Sequence, residues 1–93
     1  MMPSEQELRD RALGTAGQLD ERIDAITELG RSGSSNDVRV LLELGGRQTE
    51  PLGILRATGS ALAVLVQRGF HISEFDMRDL QGATYDAFCE EES

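Results

Sequence analysis

The sequence predicts an all-α protein of about five helices, stacked in antiparallel pairs within one domain over residues 1–93. Three observations carry that expectation. Apolar residues recur three and four positions apart along most of the chain, the spacing that lines one face of a helix. Capping residues stand ahead of these runs and Gly/Ser clusters behind them. Aromatic side chains are limited to Phe70, Phe75, Tyr85 and Phe88, with no Trp, so the earlier core has only Leu, Ile, Val and Ala to build from, a set suited to helix–helix packing.

Ser4 and Glu7 have capping-box spacing and open a short helix to about Leu13, with Leu8, Ala12 and Leu13 turned inward. The glycines of residues 14–17 interrupt it. Asp20 is placed to cap a second helix, whose apolar face is Ile23, Ala25, Ile26 and Leu29 and whose wet face is Arg22, Asp24, Thr27 and Glu28. A Gly/Ser turn over residues 30–35 follows. Ser35 or Asn36 caps a third helix carrying Val38, Leu41, Leu42 and Leu44, and Gly45-Gly46 is expected to end it through a left-handed residue.

Pro51 sits in the first turn of the fourth helix, where its missing N–H costs nothing. This helix carries Leu55, Leu62 and Leu65 on one face and Ile54, Ala57, Ala61 and Val64 on another. A helix apolar on most sides must be covered on most sides, which makes it the central element. Gly53 and Gly59 each cost about 1 kcal/mol relative to Ala within it, and both read as places where a neighbouring backbone comes close. Gly69 closes it.

Two patterns compete in the remainder. Ser73 with Asp76 has capping spacing, Ile72 with Met77 has staple spacing, and Met77, Leu80, Thr84 and Phe88 line one face of a helix over residues 73–89, with Gly82 against it. Alternatively Phe70, Phe75, Leu80 and Tyr85 recur every five residues, and residues 78–82 and 83–87 resemble units of a pentapeptide-repeat solenoid. So few units bury too little surface to stand alone, which favours the helix.

An echo runs through the chain at an offset of 36 residues: Ala25, Ile26 and Leu29 return as Ala61, Leu62 and Leu65, Gly33 as Gly69, Leu41 as Met77 and Leu44 as Leu80. With residues 20–44, chiefly 21–30, and the Arg56, Ala61, Leu62, Leu65 pattern, the chain resembles a HEAT-type helical repeat protein. The resemblance implies a short α-solenoid, with residues 1–17 as a capping helix, 18–69 as the repeat core and 70–93 as an acidic terminal segment.

Seventeen acidic residues face nine basic ones, for a net charge of −8, and every basic residue is Arg. The Arg-only usage reads as compositional bias rather than a binding surface. Acidity is concentrated at the C-terminal end, where Glu74, Asp76, Asp79, Asp86, Glu90, Glu91 and Glu92 have Arg78 as their only basic neighbour and surround the aromatics. Such a surface repels nucleic acid and anionic membranes and attracts cationic partners. Residues 1–10 lack a signal-type apolar segment, and residues 61–66 are too few to cross a bilayer, which points to the cytoplasm.

No catalytic or metal-binding residue is expected, and no cofactor. His71 is the one histidine, Ser73 reads as a cap, and Cys89 reads as a partly buried small residue. Gly45-Gly46 lacks the Lys and the preceding strand of a phosphate loop. The expected mode of action is therefore binding without catalysis, with Glu74, Asp76, Asp79, Tyr85, Asp86, Glu90 and Glu91 as the partner-facing set. Aromatic anchors ringed by charge suit tight interfaces, and complementary fields speed association. In size, charge and style the chain is similar to small acidic immunity proteins of bacterial polymorphic-toxin and contact-dependent inhibition systems. That resemblance implies a protein partner, a basic toxin domain that the chain would mask. The alternative is a helical adaptor or oligomerisation module.

Overall fold

The structure is a computed structural model that describes residues 4–15 and 17–92, except for the side chains of Glu5 and Glu92. Of the expected break at residues 14–17, Ala16 lies outside the described residues. The fold is all-α, with six helices among the described residues: α1 (Glu5–Leu13), α2 (Leu19–Ser32), α3 (Ser35–Gly45), α4 (Leu52–Gln67), the short α5 (Glu74–Met77) and α6 (Gly82–Glu92). No described helix is long and apolar enough to cross a membrane.

The helix α4 is the hub. It packs most extensively against α6 and α2, and also against α3, whereas the sequence neighbours α2 and α3 scarcely touch. Its buried residues include Ile54, Leu55, Thr58, Ala61, Leu62, Ala63 and Leu65, which point in most directions around the axis. Ala25, Ile26 and Leu29 come from α2, and Val38, Leu41 and Leu44 from α3. Leu8 and Ala12 of α1 complete that side of the core. The two echoing segments are the ones that meet: a Cβ built on Gly30 would touch Ala61, and one built on Gly53 would lie 3.7 Å from Ile23. Those two contacts set α2 and α4 side by side in the same direction.

Several expected helix ends are corrected by the structure. The N-cap of α2 is Gln18, and Asp20 lies in the first turn, where its charge favours the positive end of the helix. At α3 the cap is Ser34 rather than Ser35 or Asn36; its amide donates to Asp37 Oδ2 at 2.8 Å, the reciprocal half of a capping box. Gly46 stays right-handed, at φ −91°. The last two carbonyls here, of Gly45 and Gly46, are satisfied from a distant segment instead. Gln81 donates its backbone N–H to Gly45 O (2.9 Å) and its Nε2 to Gly46 O (3.0 Å), and Thr84 Oγ1 donates to Gly45 O (3.0 Å). The left-handed terminus occurs at Gly69 (φ 106°), where Phe70 N–H reaches Leu65 O and Gly69 N–H reaches Val66 O, closing a Schellman motif.

Those bonds to α3 also explain why residues 73–89 form two helices rather than one or a pentapeptide coil. Ser73 Oγ accepts the Asp76 N–H at 3.1 Å and starts α5 as expected. The chain then turns through residues 78–81, because Gln81 is drawn to the end of α3 and Leu80 is buried. Gly82 begins α6. The buried face of α6 is Thr84 and Ala87, with Phe88 only half-buried. It lies on Gly59, where a Cβ would strike the Thr84 carbonyl oxygen and come within 2.9 Å of Ala87 Cβ. The close approach expected at glycine thus holds for Gly59. Gly53 has ordinary room around it.

Arg22, expected on the wet face, is 3% exposed. Its guanidinium grips Glu50 through two bonds (2.6 and 3.1 Å) and also donates to Ala12 O (3.0 and 3.3 Å). Arg47 adds bonds to Glu50 Oε2 (3.3 Å) and Leu13 O (3.2 Å). Arg9 Nε donates to the fully buried Asp37 at 2.6 Å. Arg68 Nη1 donates to the carbonyls of Gly30 and Gly33 at the end of α2. Arginine therefore does more than reflect composition here: its planar, multi-donor head ties helix ends together in a way a single ammonium would not. Every buried side-chain nitrogen or oxygen among the described residues has a hydrogen-bond partner.

Glu50 titrates below its usual 4.5, chiefly because Arg22 hydrogen-bonds and charges its surroundings, with Arg47 adding to this and burial opposing it. A carboxyl with a lowered folded-state pKa stabilises the fold fully above its unfolded value, and that stabilisation is lost as pH falls through the folded value. Urea titrations between pH 7 and pH 3 should therefore show a shallower loss of stability below about pH 4.5 for Glu50→Gln than for the parent. Parallel curves would refute the assignment.

Candidate functional site

The C-terminal helices present the surface that stands out. Phe75 is 74% exposed and Tyr85 47% exposed, although both are large and partly apolar. The reason is geometric. Met77 and Leu80 turn toward the core, so Phe75, two residues before Met77 on a helical turn, is carried outward. Ile72, ahead of α5, and Met77, at its end, are half-buried, which anchors the segment and leaves its aromatic residue in solvent.

All seven side chains of the expected partner-facing set are exposed, but the fold distributes them over different faces. Glu74 and Tyr85 line a cleft of about 480 Å³ between α5 and α6, together with Met77, Arg78 and Phe88. Asp76 and Asp79 border a second depression with Leu42, Glu43, Gly46 and Arg47. Glu91 lies on the groove floored by Ile23, Ala57, Ala61 and Val64. Glu90 is within 3.6 Å of Arg56. Asp86 stands close enough to Tyr85 for its charge to act on the phenol.

The first cleft is lined by one carboxylate, Glu74, and one cation, Arg78. The Tyr85 hydroxyl is held above the ordinary phenol pKa, first by Cys89, one turn along, then by slight burial, and then by Glu74 and Asp86. Arg78 is the opposing charge, and it forms no ion pair with the other described residues. Cys89, expected to be partly buried, is exposed beside Tyr85. Sequence reasoning omitted Phe75, Met77, Phe88 and Arg78 from the site; the Ser73 cap with the inward Met77 was the signal that places Phe75 outside.

His71 is exposed and lies apart from this cleft, in a depression shared with Ser35, Arg39, Phe70 and Asp76. Ser73 is engaged as the α5 cap.

No protein-family model, curated protein or solved structure matches this chain.

The arrangement suits recognition of a surface carrying positive charge and apolar bulk. Phe75 and Tyr85 offer exposed aromatic area, with Glu74 and Asp76 beside the first and Asp86 beside the second along the chain.

Proposed function

We propose that this protein acts by binding a cationic protein and masking it, in the manner of an immunity protein that neutralises a basic toxin domain. The observation that supports the reading is the exposure of two aromatic rings beside acidic residues: Phe75, flanked in sequence by Glu74 and Asp76, and Tyr85, which precedes Asp86 and shares a cleft with Glu74 and Arg78. A 74% exposed phenylalanine gains by being covered, and the charge around it favours a positively charged cover. The stacked helices serve as a HEAT-like scaffold that holds this surface in place.

The reading is tested by co-expressing the chain with the product of the neighbouring reading frame and measuring the affinity of the co-purified pair. Nanomolar binding that weakens steeply between about 50 and 300 mM salt is expected. Phe75→Ser should weaken it by about 30-fold, the effect of losing an aromatic anchor. Self-association in the absence of any cationic partner would instead identify an adaptor.

A further inference from the structure

We infer that the groove between α2 and α4 is where a second copy of this chain docks, with the two α2 helices antiparallel about a two-fold axis. The groove has a volume of about 380 Å³ and shares no lining residue with the cleft beside Tyr85, so pairing leaves that cleft open. Ile23, Thr27 and Arg31 line it from α2, and Ala57, Ser60 and Val64 line it from α4. Leu19, one turn ahead of Ile23, continues the α2 side and is 45% exposed. The outward side chains of α4 are short, so the groove has room for a ridge of side chains from another helix.

Charge decides what supplies that ridge. Each chain carries −8, so two copies repel at long range and meet only where carboxylates are few. The helix α4 is such a place: it has no acidic residue, and Arg56 is its one charge. The two charges that line the groove, Arg31 and Glu91, cancel, so a cationic partner gains nothing there. The helix α2 carries complementary ends, with Asp20 in its first turn and Arg31 in its last. Asp20, Thr27 and Arg31 are spaced by seven and then four residues, which puts all three on one face. Laid antiparallel about the level of residues 25 and 26, two α2 helices place Asp20 of each beside Arg31 of the other. One contact thus makes two ion pairs, about 16 Å apart. In the same register Glu21, Asp24 and Glu28 fall level with Gly30, Thr27 and Ile23 of the other copy, so no acid is level with an acid. A parallel arrangement would set acid against acid at every one of these positions.

The test is the oligomeric state of the full chain, followed by sedimentation equilibrium. A monomer–dimer equilibrium is expected, with a dissociation constant on the order of 10 µM, the strength of a small transient interface. Asp20→Arg and Arg31→Asp should each weaken it at least about tenfold, because each turns two attractive pairs into two repulsive ones. Both side chains are exposed, so unchanged circular dichroism is expected of both variants. Mixed in equal amounts, the two variants should pair with each other, since positions 20 and 31 then meet with opposite charges at both ends. A purely structural role for either residue does not produce that rescue. Ser60→Glu, which puts a longer, charged side chain over the half-buried floor of the groove, should abolish pairing. A chain that stays monomeric up to about 1 mM, single variants that pair as the parent does, a mixture that stays monomeric, or undiminished pairing of Ser60→Glu would each overturn this mode of docking.

Discussion

Arg22→Ala is expected to remove about 3–5 kcal/mol of stability toward urea unfolding, the cost of breaking one side of a buried ion pair. For a domain of this size that is a large share of a total of roughly 5–14 kcal/mol. The loss has two parts. Glu50 would keep only Arg47, at 3.3 Å, as a cationic partner, although its side chain is 3% exposed. The Ala12 carbonyl at the end of α1 would lose both Arg22 donors. Replacing both members together, as Arg22→Met with Glu50→Leu, should recover much of the loss, because no buried charge is then stranded on that side. Equilibrium unfolding of the three variants separates these outcomes. A single-variant loss under about 1 kcal/mol would mean that water compensates the pair.

The second large effect concerns α4 and α6. Gly59→Ala should destabilise by about 1–3 kcal/mol even though alanine favours the helix by about 1 kcal/mol. The new methyl meets the Thr84 carbonyl oxygen and the Phe88 amide nitrogen, which are backbone atoms and cannot rotate away. The whole of α6 would have to retreat, and Thr84 would lose its hold on Gly45 O. Gly53→Ala provides the contrast within the same helix. Its Cβ would find only Ile23 Cδ1, at 3.7 Å, so stabilisation by about 0.5–1 kcal/mol is expected. Thermal unfolding of the two variants should therefore move in opposite directions. A shift of the same sign would mean that helix propensity, not helix approach, governs both positions.

These two glycines show what the sequence discloses and what it withholds. Each interrupts an apolar run in the same way, and nothing local distinguishes them; only the element packed above decides. The helices themselves were legible, because apolar spacing encodes them directly and the all-round apolarity of residues 52–67 marks a central helix. Arg22 was misplaced because a charge next to apolar residues ordinarily faces water; its partner lies 28 residues away, beyond local pattern. The break between α5 and α6 was hidden for the same reason, since the bonds that bend the chain run from Gln81 and Thr84 to α3. The candidate surface was legible in composition, as acids around aromatics, but not in shape. Which of those acids share a cleft with Tyr85 depends on that bend.

The position of α4 has a consequence for how the chain acquires its structure. The apolar stripe of α2 finds little cover on α3, which follows it directly, and waits for a segment that begins about twenty residues after α2 ends. During synthesis the first half of the molecule therefore emerges with only α1 over the greasy side of α2, and the rest of that side stays bare until residue 67 or beyond has cleared the ribosome. Excised by itself, that half should remain loose and prone to clumping, so the molecule offers no seam at which it could be halved.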